Sequence, residues 1–213
     1  LPAYELDEIA GAVVRDLAAG EPSRQRGGRP ERITEGHDRS DVRPLQQVVD
    51  SRRSVRVLGK DPLDLKDLIN VLREAESFHG RHWGRQGEPP QVLIASFDVP
   101  GLPGGLHQKV PGAGQFESYG APLWLPELLE RYTKAPCLAL VCVGQGPPVA
   151  SYRSRVVGAG AFGYGLWLAA RTFGLEASAY GRSYNEVSWE GQRQAPLRHQ
   201  FCIAIGHPRA QSI

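Results

Sequence analysis

The stretch SRRSVRVLG, Ser51 to Gly59, gathers three arginines and two serines into six residues before running into valine and leucine. A guanidinium group is a planar fork of donors that matches two phosphate oxygens at once, and a serine hydroxyl adds a neutral donor beside it. On an extended segment, alternation puts Arg52, Ser54 and Arg56 on one side and Arg53 on the other. The ligand that suits such a side is a phosphate with a polar chain attached. A nucleic-acid backbone suits it less well, because the cluster is short, no aromatic residue interleaves it and charge elsewhere is balanced. Arginines just past a helix C-terminus are favourable in their own right. Taken alone, the cluster therefore leaves a phosphate site and a solvated helix end both open.

Other chemistry-bearing patterns are weaker. There is no Walker-type loop. GAGAFG, residues 158–163, spells G-x-G-x-x-G, but it does not directly follow a buried strand and no acidic residue stands at the right place on a following strand. It reads as part of a helix, not as a dinucleotide turn. Cys137, Cys142 and Cys202 sit in apolar runs with no zinc-like spacing. They read as buried, reduced thiols, with Cys137 and Cys142 on opposite faces of one strand. The six histidines (37, 79, 82, 107, 199 and 207) show no ligand spacing, and His79 and His82 read as surface residues of a loop.

The elements that must hold these residues follow from periodicity. Residues 3–19 predict an amphipathic helix with Leu6, Ile9, Val13 and Leu17 on one stripe. Residues 21–41 are polar, dotted with Gly and Pro, and predict a flexible arm. A short helix follows, with Leu45, Val48 and Val49 inward. DPLDLKDLINVLREAESF, 61–78, predicts the strongest helix, with Asp61 or Asp64 as cap and Pro62 in the first turn. Residues 79–90 read as a loop. Buried strands are expected at 91–97, 137–144 and 199–206, and an exposed hairpin from LHQKV and QFESY. Pro126 to Tyr132 reads as a short helix. VVGAGAFGYGLWLAARTFG predicts a helix ending at Gly174. Its glycines at 158, 160, 163 and 165 cost about 1 kcal/mol each against alanine, which points to close approach by a ligand or by another helix. Apolar strands between helices need cover on both faces, so an α+β or α/β domain around a central sheet is expected.

Composition bounds the partners. The chain has 213 residues and a net charge of +2, and the excess is local, with ten Arg and Lys against six Asp and Glu over residues 21–60. No run of apolar residues is long enough for a membrane span, and the first residues lack a signal-peptide pattern. A cytoplasmic protein that binds neither nucleic acid nor membrane is expected.

Read in order, these pieces resemble the FMN-dependent nitroreductase superfamily. VVDSRRSVRVLGKDPLDLKDLINVLREA resembles its opening, GYGLWLAARTFGLEASAYG its later helix and flavin-facing segment, and FCIAIGHP its last core strand. The resemblance covers residues 42–209, leaving 1–41 as an N-terminal helix and basic arm. FDVPGLPGGLHQKV and SYRSRVVGAG are most similar to the azoline dehydrogenases of peptide natural-product clusters (the SagB/McbC type), which oxidise thiazoline or oxazoline rings in a modified peptide.

The resemblance implies an α+β nitroreductase-like fold, with a central mixed sheet covered by helices and a homodimer holding FMN. It implies that Arg52, Arg53, Ser54 and Arg56 hold the phosphate, ribityl chain and pyrimidine edge. Arg209 would add a phosphate contact, and Ala179, Tyr180 and Gly181 would lie along the flavin ring, with a backbone N–H of Gly181 towards N5. The loop HWGRQGEPP offers only Arg85 and Gln86 to the pyrimidine, and GQGPPVAS stands where the subfamily has a Lys-Tyr pair. The candidates for a catalytic base, by position, are Lys109, Tyr119, Tyr152 and Tyr180. Three functions are compatible with these residues: an azoline-type dehydrogenase acting on a peptide and working with partner enzymes, an NAD(P)H-dependent nitro or quinone reductase, and a relative that only binds or scaffolds.

Overall fold

The computed structural model describes residues 45–51, 53–82, 89–110, 114–131, 135–144, 149–181, 186–190, 192 and 197–209. All of them fall within one compact unit, Arg39–Ile213. The helix expected over 3–19, the arm over 21–41, Arg52, Arg85 and Gln86 lie outside the described residues. In chain order the elements are α1 (Leu45–Asp50), α2 (Leu65–His82), β1 (Gln91–Ser96), β2 (Gly105–Lys109), β3 (Phe116–Ser118), α3 (Leu125–Arg131), β4 (Cys137–Val143), α4 (Val149–Thr172), β5 (Glu176–Tyr180), β6 (Glu186–Val187) and β7 (Leu197–Gly206).

β4 is apolar throughout and buried along its whole length, as a central strand covered on both faces must be. The sheet runs β3-β2-β1-β4-β7-β5, with β6 paired to the start of β7. Every pairing among the described strands is antiparallel, so the sheet expected to be mixed is antiparallel here. One face carries α2 and α4 over a cluster that includes Leu68, Leu72, Ile94, Ala139, Phe162, Leu166 and Ile203. The other carries α3 and the segments around Leu58, Tyr119 and Trp189, over Leu93, Leu138, Leu140, Cys202 and Ala204. Cys137 belongs to the first cluster and Cys142 to the second, the opposite-face placement that strand alternation requires.

α2 begins at Leu65, later than the sequence pattern suggested. Asp64 is its cap: Oδ1 accepts the Lys66 N–H at 2.6 Å. Pro62 and Leu63 precede the helix, and Leu63, fully buried, pairs with fully buried Leu68 in the arrangement of a hydrophobic staple. The far end runs on through His82, so His79 is a helical residue and not part of a surface loop. It is 5 % exposed and meets the Phe162 ring edge-on at 5.6 Å. Val49, expected inward, is 40 % exposed, because one turn and a half of α1 directs only Val48 fully into the core. The expected hairpin forms, with His107 opposite Ser118 and Lys109 opposite Phe116. Its first strand is nevertheless internal, bonded to β1 with Leu106 fully buried. β5 was not read as a strand at all. α4 starts earlier than expected, at Val149, and ends in a Schellman motif: Gly174 has φ 75, Leu175 N–H reaches Ala170 O at 3.0 Å and Gly174 N–H reaches Arg171 O at 3.2 Å. No helix among the described residues is long and apolar enough to cross a membrane.

Burial holds the His79 pKa below the ordinary 6.5, and the Gly158 backbone beside it partly offsets this. A depressed folded value means that the unfolded chain takes up the proton first. The stability His79 contributes is present above pH 6.5 and is lost as pH falls through that value towards the folded one. Urea unfolding at a series of pH values should show this loss, and a His79→Leu variant should lose that part of the acid sensitivity.

Candidate functional site

The arginine segment runs into Leu58 and Gly59, which bond to the chain just past the end of β7. Gly59 N–H donates to His207 O at 2.8 Å, and Leu58 forms an antiparallel bridge with Pro208. A Cβ on Gly59 would stand 3.0 Å from Pro208 O, so the close approach needs glycine there. The His207 ring Nε2–H reaches across to Pro62 O at 3.1 Å and closes the turn that follows. Continuing the antiparallel bridge by one residue sets Val57 opposite Arg209, which brings the backbone of Arg209 alongside that of Arg56.

Within the segment, Val55 packs into the cluster on the α3 face of the sheet. Ser54 and Arg56 on either side of it are both exposed. Arg53 is exposed too, and so is Arg209. Neither of these two has a carboxylate partner among the described residues. Exposed guanidinium groups with a hydroxyl between them are a donor set of the right chemistry for a flavin phosphate and ribityl chain.

Three residues at the head of the segment were not singled out from sequence. Ser51 follows the last residue of α1, and its Oγ donates to Gln47 O at 2.7 Å. Arg171, in the last turn of α4 and 4 % exposed, donates to Ser51 O at 3.3 Å and to Ser51 Oγ at 3.2 Å. Its other guanidinium nitrogen is ion-paired with Glu176, the first residue of β5. A basic residue in a helix's last turn was the available sequence signal, but it did not name the partners.

β5 continues from Glu176 to the residues expected beside a flavin ring. Glu176 pairs with Gly206 and Tyr180 with Cys202. The step from Gly206 to Cys202 is four residues of strand, about 13 Å at about 3.3 Å each. The Arg56–Arg209 end and the Ala179–Gly181 end are therefore separated along the same two strands. Ala179 and Gly181 are exposed. Tyr180 packs on the same sheet face as Val55 and Leu58.

The other candidate bases lie elsewhere. Lys109 ends β2, its Nζ 2.7 Å from Glu76 Oε2 of α2. β2 is four strands from β5 in the sheet order, roughly 19 Å at about 4.8 Å per spacing. Tyr119 stacks on Trp189 with ring centroids 4.2 Å apart. Its hydroxyl donates to Gln108 Oε1 at 2.8 Å, and burial, followed by the Glu117 carboxylate, pushes its pKa up to about 12. Tyr152 lies in the first turns of α4, and its side chain is outside the described set. The strand order thus separates Lys109 from Ala179–Gly181 within the chain, while Tyr119 and Tyr180 pack against the same cluster.

The glycine-rich helix divides into two kinds of position. A Cβ on Gly163 would fall 2.3 Å from Phe201 Cε2, and one on Gly165 3.1 Å from Phe78 Cδ1. These two glycines let β7 and α2 side chains close on α4. Gly160 meets nothing within 4 Å and is exposed, as are Val157 and Tyr164 on the same stripe.

Burial raises the three thiols, Cys137, Cys142 and Cys202, to about 12 each. They stay protonated at neutral pH, which rules them out as thiolate nucleophiles in the folded protein. Iodoacetamide should leave all three unmodified in the native protein and label all three in urea, read by intact mass.

No family model and no curated protein matches the chain. Solved structures do. A protein of Anabaena variabilis ATCC 29413 assigned as a nitroreductase aligns with TM-score 0.60 and 19% identity over 78% of this chain, and this chain spans 38% of that protein's length. A Desulfovibrio desulfuricans protein assigned as a nitroreductase, in complex with FMN, aligns with TM-score 0.53 and 18% identity, over 80% of this chain and 91% of that one. A chain of the E. coli microcin synthetase McbBCD complex, with truncated pro-MccB17 bound, aligns with TM-score 0.54 and 14% identity, over 92% of this chain and 91% of that one. The chain has the nitroreductase-like α+β fold.

Proposed function

We propose that the protein is an FMN-dependent oxidoreductase that dehydrogenates an azoline or similar ring in a modified peptide. The observation that supports the flavin is the set of exposed donors just past the end of β7, together with the exposed Ala179 and Gly181 at the far end of β5, the strand paired to it. Arg53, Ser54, Arg56 and Arg209 would hold the phosphate and ribityl chain, with Arg52 completing the set. Ala179 offers a small side chain for a flat ring to lie against, and Gly181 a backbone N–H at the ring's edge. Bound there, FMN supplies a two-electron acceptor for the substrate C–H bond. The reading of the substrate as a peptide-borne ring is supported by the likeness to the microcin synthetase chain over nearly the full length of both. Partner enzymes of a biosynthetic complex belong to the same reading. The exposed stripe Val157, Gly160 and Tyr164 on α4 supports a homodimer packed through that helix. Three free, buried thiols suit a reducing compartment such as the cytoplasm.

Of the candidate bases, Tyr180 shares the strand of the ring-side residues and is the first to test, ahead of Lys109 and Tyr152, although its hydroxyl is buried on the sheet face of Val55 and Leu58. Tyr180→Phe should lower turnover by about 10²- to 10⁴-fold while FMN affinity stays unchanged. A variant that loses FMN affinity but turns over normally once loaded would reduce the hydroxyl to a packing role.

The deciding experiment is a visible spectrum of the purified protein after adding FMN, followed by anaerobic mixing with a thiazoline-containing peptide. Flavin uptake and bleaching by the peptide are expected. The likeness to an FMN-bound nitroreductase favours a second reading, an NAD(P)H-dependent nitro or quinone reductase. Rapid bleaching by NADPH, with none by the peptide, would establish it in place of the first. Absence of any flavin uptake would overturn both and leave a binding or scaffolding role.

A further inference from the structure

We infer that Arg171 and Glu176 form a buried clamp that fixes the arginine segment at the spacing FMN requires, acting as positioning residues through Ser51 and not by touching the flavin. This rests on the FMN reading above.

The described residues 53–57 lie between two anchors. At its far end, Leu58 and Gly59 are bonded to Pro208 and His207. At its near end, the carbonyl and hydroxyl of Ser51 both accept from Arg171. The Ser51 carbonyl lies just past α1, where carbonyls lack intrahelical partners, and a cation is favourable there. The Arg171 charge is met by Glu176, so the clamp is neutral overall and does not compete with Arg53, Arg56 or Arg209 for a phosphate. Glu176 also begins β5, the strand that ends in Ala179 and Tyr180. One ion pair thus ties the start of the phosphate-binding segment to the strand that presents the ring side. Arg171 and Ser51 are 120 residues apart in sequence, so the contact joins distant parts of the chain. Holding the arginine segment at both ends lowers the ordering cost that phosphate binding would otherwise meet.

The test compares FMN with riboflavin, which lacks the phosphate, in fluorescence titrations of the apo protein. The variants are Arg171→Gln and the double variant Arg171→Gln/Glu176→Gln, which leaves no stray buried charge if the single one fails to fold. Amide exchange over residues 53–57 is followed in parallel. The expected result is a loss of FMN affinity of tenfold or more, a smaller loss for riboflavin, and faster exchange over 53–57. Arg171→Lys should recover part of the FMN affinity. Folded variants with an unchanged ratio of FMN to riboflavin affinity and unchanged exchange would overturn the clamp while leaving the flavin reading intact. A wild-type protein that takes up no FMN would overturn the flavin reading itself. In that case faster exchange in the double variant would show the clamp to be structural only, which overturns its role in FMN binding.

Discussion

Arg56→Gln and Arg209→Gln will each weaken FMN binding by about 10- to 100-fold, which is the loss of one charge-assisted hydrogen bond of about 1.5–3 kcal/mol at about 1.4 kcal/mol per decade. The two residues lie close in sequence to the Leu58–Pro208 bridge that joins their backbones, and the FMN reading gives both to the phosphate. Both are exposed, and neither substitution should change the unfolding midpoint of the apo protein. Riboflavin affinity should hardly move, since the lost contact is to the phosphate. The FMN affinity of the wild type should fall with added salt, and the variants should show a shallower dependence. Arg198, exposed on the opposite end of β7, is the control and should bind FMN normally as Arg198→Gln. Equal losses for Arg198→Gln and Arg209→Gln would place the phosphate elsewhere.

Gly105→Ala will cause a large loss of stability. Gly105 has φ 150, a backbone conformation that side chains disfavour, and its Cβ would lie 2.6 Å from Gly120 O. That oxygen cannot yield easily, because it accepts the Leu106 N–H at 2.7 Å. Backbone strain of about 1–3 kcal/mol adds to overpacking of about 1–3 kcal/mol, against a total stability of about 5–15 kcal/mol for a domain. Urea unfolding should register the change, with Gly114→Ala as comparison, where nothing lies within 4 Å. If the two variants unfold alike, β2 and the 119–121 segment are not held as close as the structure has them.

The parts of the fold that sequence disclosed are those whose residues carry their own instruction. β1, β4 and β7 are apolar runs, and such runs can only be buried strands or core helices. β5 reads Glu-Ala-Ser-Ala-Tyr, with no β-branched residue and no clear alternation, and it becomes a strand because β7 offers it an edge. Of the two caps that sequence left open for α2, Asp61 and Asp64, the helix uses Asp64, so Pro62 lies before the helix and not in its first turn. His79 carried no sign of the Phe162 contact that buries it. The glycines of α4 left ligand and helix contact open, and Phe201 and Phe78 account for Gly163 and Gly165. At the candidate site, Ser54 and Arg56 were named from the donor chemistry of hydroxyl and guanidinium groups, and Arg209 from the family resemblance. Arg171 and Glu176 could not be named, since a buried ion pair is defined by what the fold brings to it.

The exposed edge of β5 has a consequence for how the protein behaves in bulk solution. Among the described strands it bonds only to β7, and beyond Glu176 its residues carry no charge or proline to deter a new neighbour. Edges of that kind invite pairing between chains. A flavin ring or a second subunit lying over Ala179–Gly181 would cover this edge as well as complete a site. Riboflavin supply during expression would then govern yield and polydispersity, and protein made without it would be the preparation that precipitates.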